Sequence, residues 1–235
     1  MQHVDIGIVG GGIVGLTLAA ALKESSLSVA IIDKHPLSTA LGEKPTARVS
    51  AINQANIAAL QSLDAWQHLQ KDRANSYVAM HVWDKDSFGD IHFSCEEMGS
   101  DALGVIVENQ ALINALAQSV QSQSNVQVFE SGIERVLSGP NQNMVMFDNN
   151  DALSCRLLIG ADGANSFVRQ QAGFPITFKD YEHTAIVANI KTSLPHENVA
   201  RQAFTPTGPL ALLPMADPNV CSIVWSQTHD AAAKL

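Results

Sequence analysis

The sequence predicts an α/β fold, a βαβ unit at the N-terminus with a β-rich domain inserted in pieces. Three observations point to it. A short apolar strand pattern, Val4 to Val9, runs into the cluster Gly10-Gly11-Gly12 and then into an Ala- and Leu-rich segment of helical character. A second strand pattern, Leu27 to Ile32, ends on an acid, Asp33. After Phe174-Pro175 the texture changes to strand patterns broken by turns at Leu194-Pro195, Pro206 to Pro209 and Asp217-Pro218, which predicts an antiparallel sheet.

The elements follow in order. Ile13 to about Ser25 reads as the first helix, and a loop with Pro36, Gly42 and Pro45 follows the second strand. Asn53 to about Leu69 has helical spacing, with Ile57, Leu60, Leu63 and Trp66 on one side and Asn53 suited to the N-cap. Strands at Tyr77–Trp83 and Ile91–Ser94 flank a turn through Asp84-Lys85-Asp86-Ser87-Phe88-Gly89. A helix from about Gln110 to Ser122 precedes strands near Val126–Glu130, Glu134–Leu137, Met144–Phe147 and Ala152–Gly160, then a short helix over Asn165–Ala172. The expected domains are 1–75 with 100–175 for the part built on the βαβ unit, and 76–99 with 176–235 for the β-rich part.

Composition bounds the function. The 235 residues are 46% apolar and 16% charged, enough for a substantial core. The net charge of −9, from 14 basic against 23 acidic residues with no basic run, argues against nucleic acid as a partner. Cys95, Cys155 and Cys221 are far apart and odd in number, matching neither a disulfide framework nor a zinc site, so a reducing interior is expected. No metal site is read, and none of the eight histidines is read as catalytic. Ile6 to Leu22 carries no charge, but its five glycines and the absence of Lys or Arg before it argue against a membrane span or signal peptide.

Gly10-Gly11-Gly12-Ile13-Val14-Gly15 fits G-x-G-x-x-G of a Rossmann-like unit. Gly10 permits the tight turn, Gly12 lets a pyrophosphate approach the backbone, and Gly15 lets the helix pack on the strand. The helix N-terminus offers free N–H groups and a positive dipole end to phosphates. Asp33, 23 residues past Gly10, is at the distance of a carboxylate that binds a ribose hydroxyl, and it would repel a 2′-phosphate. A second string, Leu157 to Arg169, reads as strand, turn and helix and fits D-G-x-x-S-x-x-R through Asp162, Gly163, Ser166 and Arg169. Gly163 permits a close turn, Asp162 suits orienting a neighbouring backbone or a ribose, Ser166 suits a helix start, and Arg169 suits an anionic cofactor.

This second string resembles the motif of the FAD-dependent aromatic hydroxylases, the class A flavoprotein monooxygenases. The stretches Arg48–Asn53, Val82–Gly89, Ile106–Asn109, Ala200–Gln202 and Cys221–Ser226 resemble one subgroup, the ubiquinone-biosynthesis hydroxylases, nearest the branch acting at C5 of a polyprenylphenol ring. The resemblance runs over essentially the whole chain. It implies FAD as cofactor, bound by Gly10, Gly12, Gly15, Asp33, Asp162, Gly163, Ser166 and Arg169, with Arg48 in a loop against the cofactor. Asn109 stands at a helix start that touches FAD, where many relatives carry Arg.

The resemblance further implies NAD(P)H as transient electron donor and O₂ as co-substrate. One oxygen passes from a C4a-hydroperoxyflavin to the phenol ring, with no protein nucleophile required. The implied partners are the polyprenylphenol and a ubiquinone-biosynthesis protein complex. The implied location is cytoplasmic, with peripheral contact to the inner face of a membrane for access to substrate. A later Gly-Asp fingerprint of the family is not found after Arg169, so the resemblance marks the chain as C-terminally truncated, binding FAD weakly or not at all and inactive alone. A nicotinamide-dependent dehydrogenase and a non-catalytic FAD-domain assembly partner stay open as alternatives.

Overall fold

The computed structural model describes residues 2–235. In chain order the elements are β1 (Gln2–Val9), α1 (Ile13–Ala21), β2 (Val29–Asp33), β3 (Val49–Asn53), α2 (Gln54–Ser62), β4 (Ala74–Tyr77), β5 (Ala79–Asp84), β6 (Asp90–Ser94), β7 (Gly104–Glu108) and α3 (Asn109–Gln121). Then come β8 (Val126–Glu130), β9 (Ile133–Ser138), β10 (Asn143–Phe147), β11 (Ala152–Gly160), α4 (Phe167–Gln171), β12 (His183–Lys191), β13 (Val199–Thr205), β14 (Gly208–Pro214), β15 (Val220–Thr228) and α5 (His229–Ala232). The α/β class read from the sequence is the class observed.

Two compact units divide the chain at other points than the sequence boundaries. The first holds residues 1–40, 60–68 and 112–177, and the second 41–59, 69–111 and 178–235. The second is larger than the sequence reading made it, because β3, β7 and β4 form a small antiparallel sheet of their own in that order. The sequence reading had no strand at Val49–Asn53 or Gly104–Glu108. Gly104 to Glu108 is buried at every position, so it lacks the alternation that marks a half-exposed strand.

The first unit is built on a six-stranded sheet of order β8-β2-β1-β11-β10-β9, parallel from β8 to β11 and antiparallel thereafter. Its central strands are buried on both faces, which is why they read as unbroken apolar runs: Val29 to Ile32 are all at most 1% exposed. Val4, Val9, Ala30, Ile32, Val145, Phe147, Leu153, Cys155 and Val168 form one core cluster. Helix α1 buries Gly15, Leu16, Ala19 and Ala20.

Both early helices end sooner than their composition predicts. α1 loosens after Ala21 into successive three-residue turns, and the Ser25 hydroxyl donates to the Leu22 carbonyl at 2.7 Å. α2 stops at Ser62 because Asp64 takes a left-handed backbone (φ 56°), with the Ala65 N–H turning back to the Leu60 carbonyl. The start of α2 is as read: Asn53 Oδ1 accepts from the Asn56 N–H at 2.9 Å.

The second unit carries a six-stranded sheet of order β12-β15-β14-β13-β5-β6. It is antiparallel throughout except where β13 lies parallel to β5. Tyr77, Ile106, Ala200 and Met215 form its core, with Val49, Met80, Leu103, Leu213 and Val220 packed against them. Among the described residues no helix is long and apolar enough to cross a membrane.

Candidate dinucleotide site

In the first unit β2, β1 and β11 end at one level, since Val9 is in register with both Ile32 and Gly160. The carboxyl ends of parallel strands are where open α/β sheets bind ligands. Two backbone bonds carry this order into the loops: Gly10 N–H to the Ile32 carbonyl at 2.8 Å, and Ala161 N–H to the Val9 carbonyl at 2.7 Å. The glycine loop and the Asp162 turn are thereby held side by side.

Each motif glycine has its own physical reason. Gly10 has φ +110°, and a Cβ there would run into the Ala161 carbonyl. A Cβ on Gly15 would run into the Gly10 carbonyl, so a close helix–loop approach depends on its absence. Gly12 differs: a Cβ there would meet nothing within 4 Å. Space is left open at the N-cap of α1, which has no side-chain cap. The first-turn N–H groups of α1 therefore face a void that a phosphate fits.

A cleft of about 640 Å³ lies over these strand ends, lined by Gly10, Gly12, Asp33, Lys34, His35, Ser131, Gly132, Asp162, Gly163, Asn165 and Phe167 among others. Its size lies within the range of roughly 300–1,000 Å³ usual for small-ligand sites. Asp33 does more here than its spacing indicated. Its Oδ2 accepts from the Gly11 N–H at 2.7 Å and its Oδ1 from the His35 N–H at 2.9 Å. The carboxylate fixes the glycine loop while each oxygen keeps a lone pair for a hydroxyl.

The Asp162–Arg169 string folds as a helix-capping network. Asp162 Oδ2 accepts from the N–H groups of Phe167 (2.6 Å) and Val168 (3.1 Å), and Asp162 Oδ1 accepts from the Ser166 hydroxyl at 2.5 Å. Ser166 Oγ is the N-cap of α4, accepting from the Arg169 N–H at 3.0 Å. Arg169 Nη1 donates to the Ala164 carbonyl at 2.7 Å. Asp162 and Gly163 thus line the cleft, while Ser166 and Arg169 shape the turn that places them.

Arg48 and Asn109 belong to the second unit and are neighbours there: the Asn109 N–H donates to the Arg48 carbonyl at 3.0 Å. Asn109 Oδ1 accepts from the Ser50 hydroxyl at 2.7 Å. The loop that leads to Arg48 is tightly pinned. Arg73 Nη2 donates to the Gly42 carbonyl at 2.5 Å, and the Thr46 N–H donates to Glu108 Oε1 at 3.1 Å. Asn189 Nδ2 donates to the Pro45 and Thr46 carbonyls, and the Ser222 hydroxyl to the Ala47 carbonyl. Arg73 and Glu108 are themselves ion-paired at 3.2 Å with side chains only 8% and 1% exposed. The Arg48 side chain is exposed and has no hydrogen bond or ion pair among the described residues.

Sequence reasoning missed the Arg73–Glu108 pair and the Ser131-Gly132 wall of the cleft. For the pair one signal existed, an acid closing an unbroken apolar run at Val105-Ile106-Val107-Glu108. Nothing in the spacing identified its partner 35 residues earlier.

A mainly parallel sheet, a glycine loop with an open helix N-terminus and an acid at the end of the second strand define a dinucleotide-binding fold of the flavoprotein type. The chain belongs to the FAD-binding domain family, whose model matches residues 3–233. It spans about half the length of the curated relatives it matches. It is 35% identical over 249 residues to the mitochondrial ubiquinone biosynthesis monooxygenase COQ6 of Drosophila melanogaster, covering 100% of this chain and 51% of that one. It is 31% identical over 236 residues to 3-demethoxyubiquinol 3-hydroxylase of Escherichia coli strain K12, covering 100% of this chain and 59% of that one.

Among solved structures it is similar to PqsL, a probable FAD-dependent monooxygenase of Pseudomonas aeruginosa, with a TM-score of 0.80 at 18% identity over 100% of this chain and 63% of that one. It is also similar to p-nitrophenol 4-monooxygenase PnpA of Pseudomonas putida DLL-E4, with a TM-score of 0.79 at 16% identity over 100% of this chain and 61% of that one. These two likenesses show the fold alone.

Proposed function

We propose that this chain is the FAD-binding part of a flavin-dependent monooxygenase that hydroxylates the aromatic ring of a polyprenylphenol in ubiquinone biosynthesis. One observation carries the reading: the open Gly12 cradle at the end of β1 lies in a chain of the FAD-binding family, similar along its whole length to a ubiquinone biosynthesis monooxygenase and a 3-demethoxyubiquinol 3-hydroxylase. FAD held there would supply the redox chemistry, with NAD(P)H as the two-electron reductant and O₂ as the source of the ring hydroxyl, its second oxygen leaving as water.

The protein's part is positional. Backbone N–H groups at Gly12 to Val14 receive the pyrophosphate, and Asp33 accepts from a ribose hydroxyl while holding the Gly11 N–H. Asp162 holds the turn that closes the far side of the cleft. Arg48, with its guanidinium free and its loop pinned, is the second unit's cofactor residue in this reading, with Asn109 beside it. A polyprenyl substrate is lipid-soluble, so contact with a membrane surface and with other enzymes of the same route is part of the proposal. Deleting the gene in its host tests it. The quinone pool is expected to accumulate a polyprenylphenol one ring oxygen short, restored by a gene copy; an unchanged pool would refute the assignment.

A further inference from the structure

The hairpin formed by β5 and β6 carries a cluster that the cofactor site does not use. His81 is in register with His92, and Trp83 with Asp90. Backbone bonds fix the phase of the ladder: the Asp84 N–H donates to the Gly89 carbonyl, and the Cys95 N–H to the Val78 carbonyl, both at 2.8 Å. Counting inward by twos, His81 with His92 and Trp83 with Asp90 are the non-hydrogen-bonded pairs. In such pairs side chains on one face approach most closely.

The consequence is a converging set of donors. The imidazoles of His81 and His92 stack with centroids 4.0 Å apart and planes at 15°. Both turn Nε2 to one carboxylate, His81 to Asp90 Oδ2 and His92 to Asp90 Oδ1, each at 2.9 Å. All three ligand atoms lie within 4.8 Å of one another. Around a tetrahedral ion with bonds of about 2.1 Å, ligand atoms sit roughly 3.4 Å apart. The two imidazole–carboxylate contacts, at 2.9 Å, are shorter than that and have only to open by about 0.5 Å, with the rings tilting, to admit an ion.

We infer that His81, Asp90 and His92 form a surface site for a divalent cation of the zinc class. Two imidazoles and one carboxylate suit Zn²⁺, Ni²⁺ or Cu²⁺, whereas Mg²⁺ and Ca²⁺ take mostly oxygen ligands. The Asp90 carboxylate accepts from both imidazoles, one on each oxygen. On binding, each Nε2 gives up its proton, by shifting it to Nδ1 or releasing it to solvent, and offers its lone pair. His92 and Asp90 are 68% and 50% exposed, which leaves the remaining coordination position to water. The nearest cation by register is Arg201 on β13, whose Nη1 is spent on the His196 and Val199 carbonyls. A bound ion would tie β6, the edge strand of its sheet, to β5.

The test uses protein freed of metal by chelator and dialysis. Calorimetric titration with ZnCl₂ is expected to show one saturable equivalent at micromolar concentration, and MgCl₂ none. CuCl₂ is expected to quench Trp83, whose ring lies 4.7 Å from that of His81. His92→Gln and Asp90→Asn should weaken both signals roughly tenfold or more, while His68→Gln leaves them unchanged. Trp83→Phe should remove the quench and keep the zinc heat. His92 is a surface residue, so circular dichroism is expected to show the His92→Gln fold intact. Absence of saturable zinc binding, or binding that His92→Gln and Asp90→Asn leave unaltered, would overturn the site.

Discussion

Replacing Arg73 with methionine takes a guanidinium out of a place where nothing else can do its work. Its Nη1 pairs with Glu108, which is 1% exposed, and its Nη2 holds the Gly42 carbonyl. In Arg73→Met the Glu108 carboxylate keeps only the Thr46 N–H, and the Gly42 carbonyl loses its donor. Removing one partner of a buried ion pair costs about 3–5 kcal/mol, because the other charge is left uncompensated. The exposed Asp72 contact at 3.4 Å adds little. At about 2–4 °C per kcal/mol for a chain of this size, the expected fall in Tm is roughly 6–20 °C.

Urea unfolding and calorimetry measure the cost. Hydrogen exchange at the Thr46 amide reports whether the loop to Arg48 loosens with it. The double variant Arg73→Met, Glu108→Leu removes both charges and should recover most of the loss, the sign of an interaction rather than of two independent sites. A change within about 0.5 kcal/mol for Arg73→Met, or a double variant as damaged as the sum of its parts, would refute the clamp.

Further outcomes follow from other parts of the structure. Gly15→Ala drives a methyl into the Gly10 carbonyl and is expected to cost about 1–3 kcal/mol or more by urea unfolding. An unchanged midpoint would show that the α1–loop approach is not tight. The Asp5 carboxyl is held down to about 2 by the N–H and hydroxyl of Ser28 and then by Arg156. Its folded value lies below its ordinary one, so its contribution is present above about pH 4 and is lost as pH falls towards 2. Asp5→Asn should flatten the stability profile in that window, and an unaltered slope would count against it. Burial pushes the Cys155 and Cys221 thiols up, whereas Cys95 is half-buried. Iodoacetamide followed by peptide mass spectrometry should label Cys95 first and the other two only on unfolding; early labelling of Cys155 would contradict the packing.

The opening βαβ unit was legible because its chemistry is encoded at short range. Gly10, Gly12, Gly15 and Asp33 are fixed by spacing alone, and the ends of β1 and β2 put Gly10, Gly12 and Asp33 on one cleft. Roles were less legible than positions. Asp33 is read as a group for a ligand, yet it also binds the backbone that frames the cleft, whereas of the two duties read for Asp162 the structure shows the backbone one. That second duty depends on which N–H groups the turn brings near. The strands β3 and β7 escaped because the two large apolar residues of β3, Val49 and Ile52, stand three apart and β7 is buried at every position, leaving no alternation to read. Long-range pairings such as β13 beside β5, and Arg73 beside Glu108, join parts of the chain with no local signal of each other.

The central claim is that the cleft at the ends of β1, β2 and β11 receives the ADP end of FAD. Amide NMR titration with ADP and with FAD, on the wild-type chain and on Gly12→Val, tests it most directly. Gly12 has an extended backbone and open space where a side chain would go, so the variant should fold with an unchanged spectrum elsewhere. The account predicts that both ligands shift the amides of Gly11 to Val14 and Gly163 in the wild type, and that Gly12→Val abolishes those shifts. Shifts confined to other residues, or equal shifts in the folded variant, would contradict it.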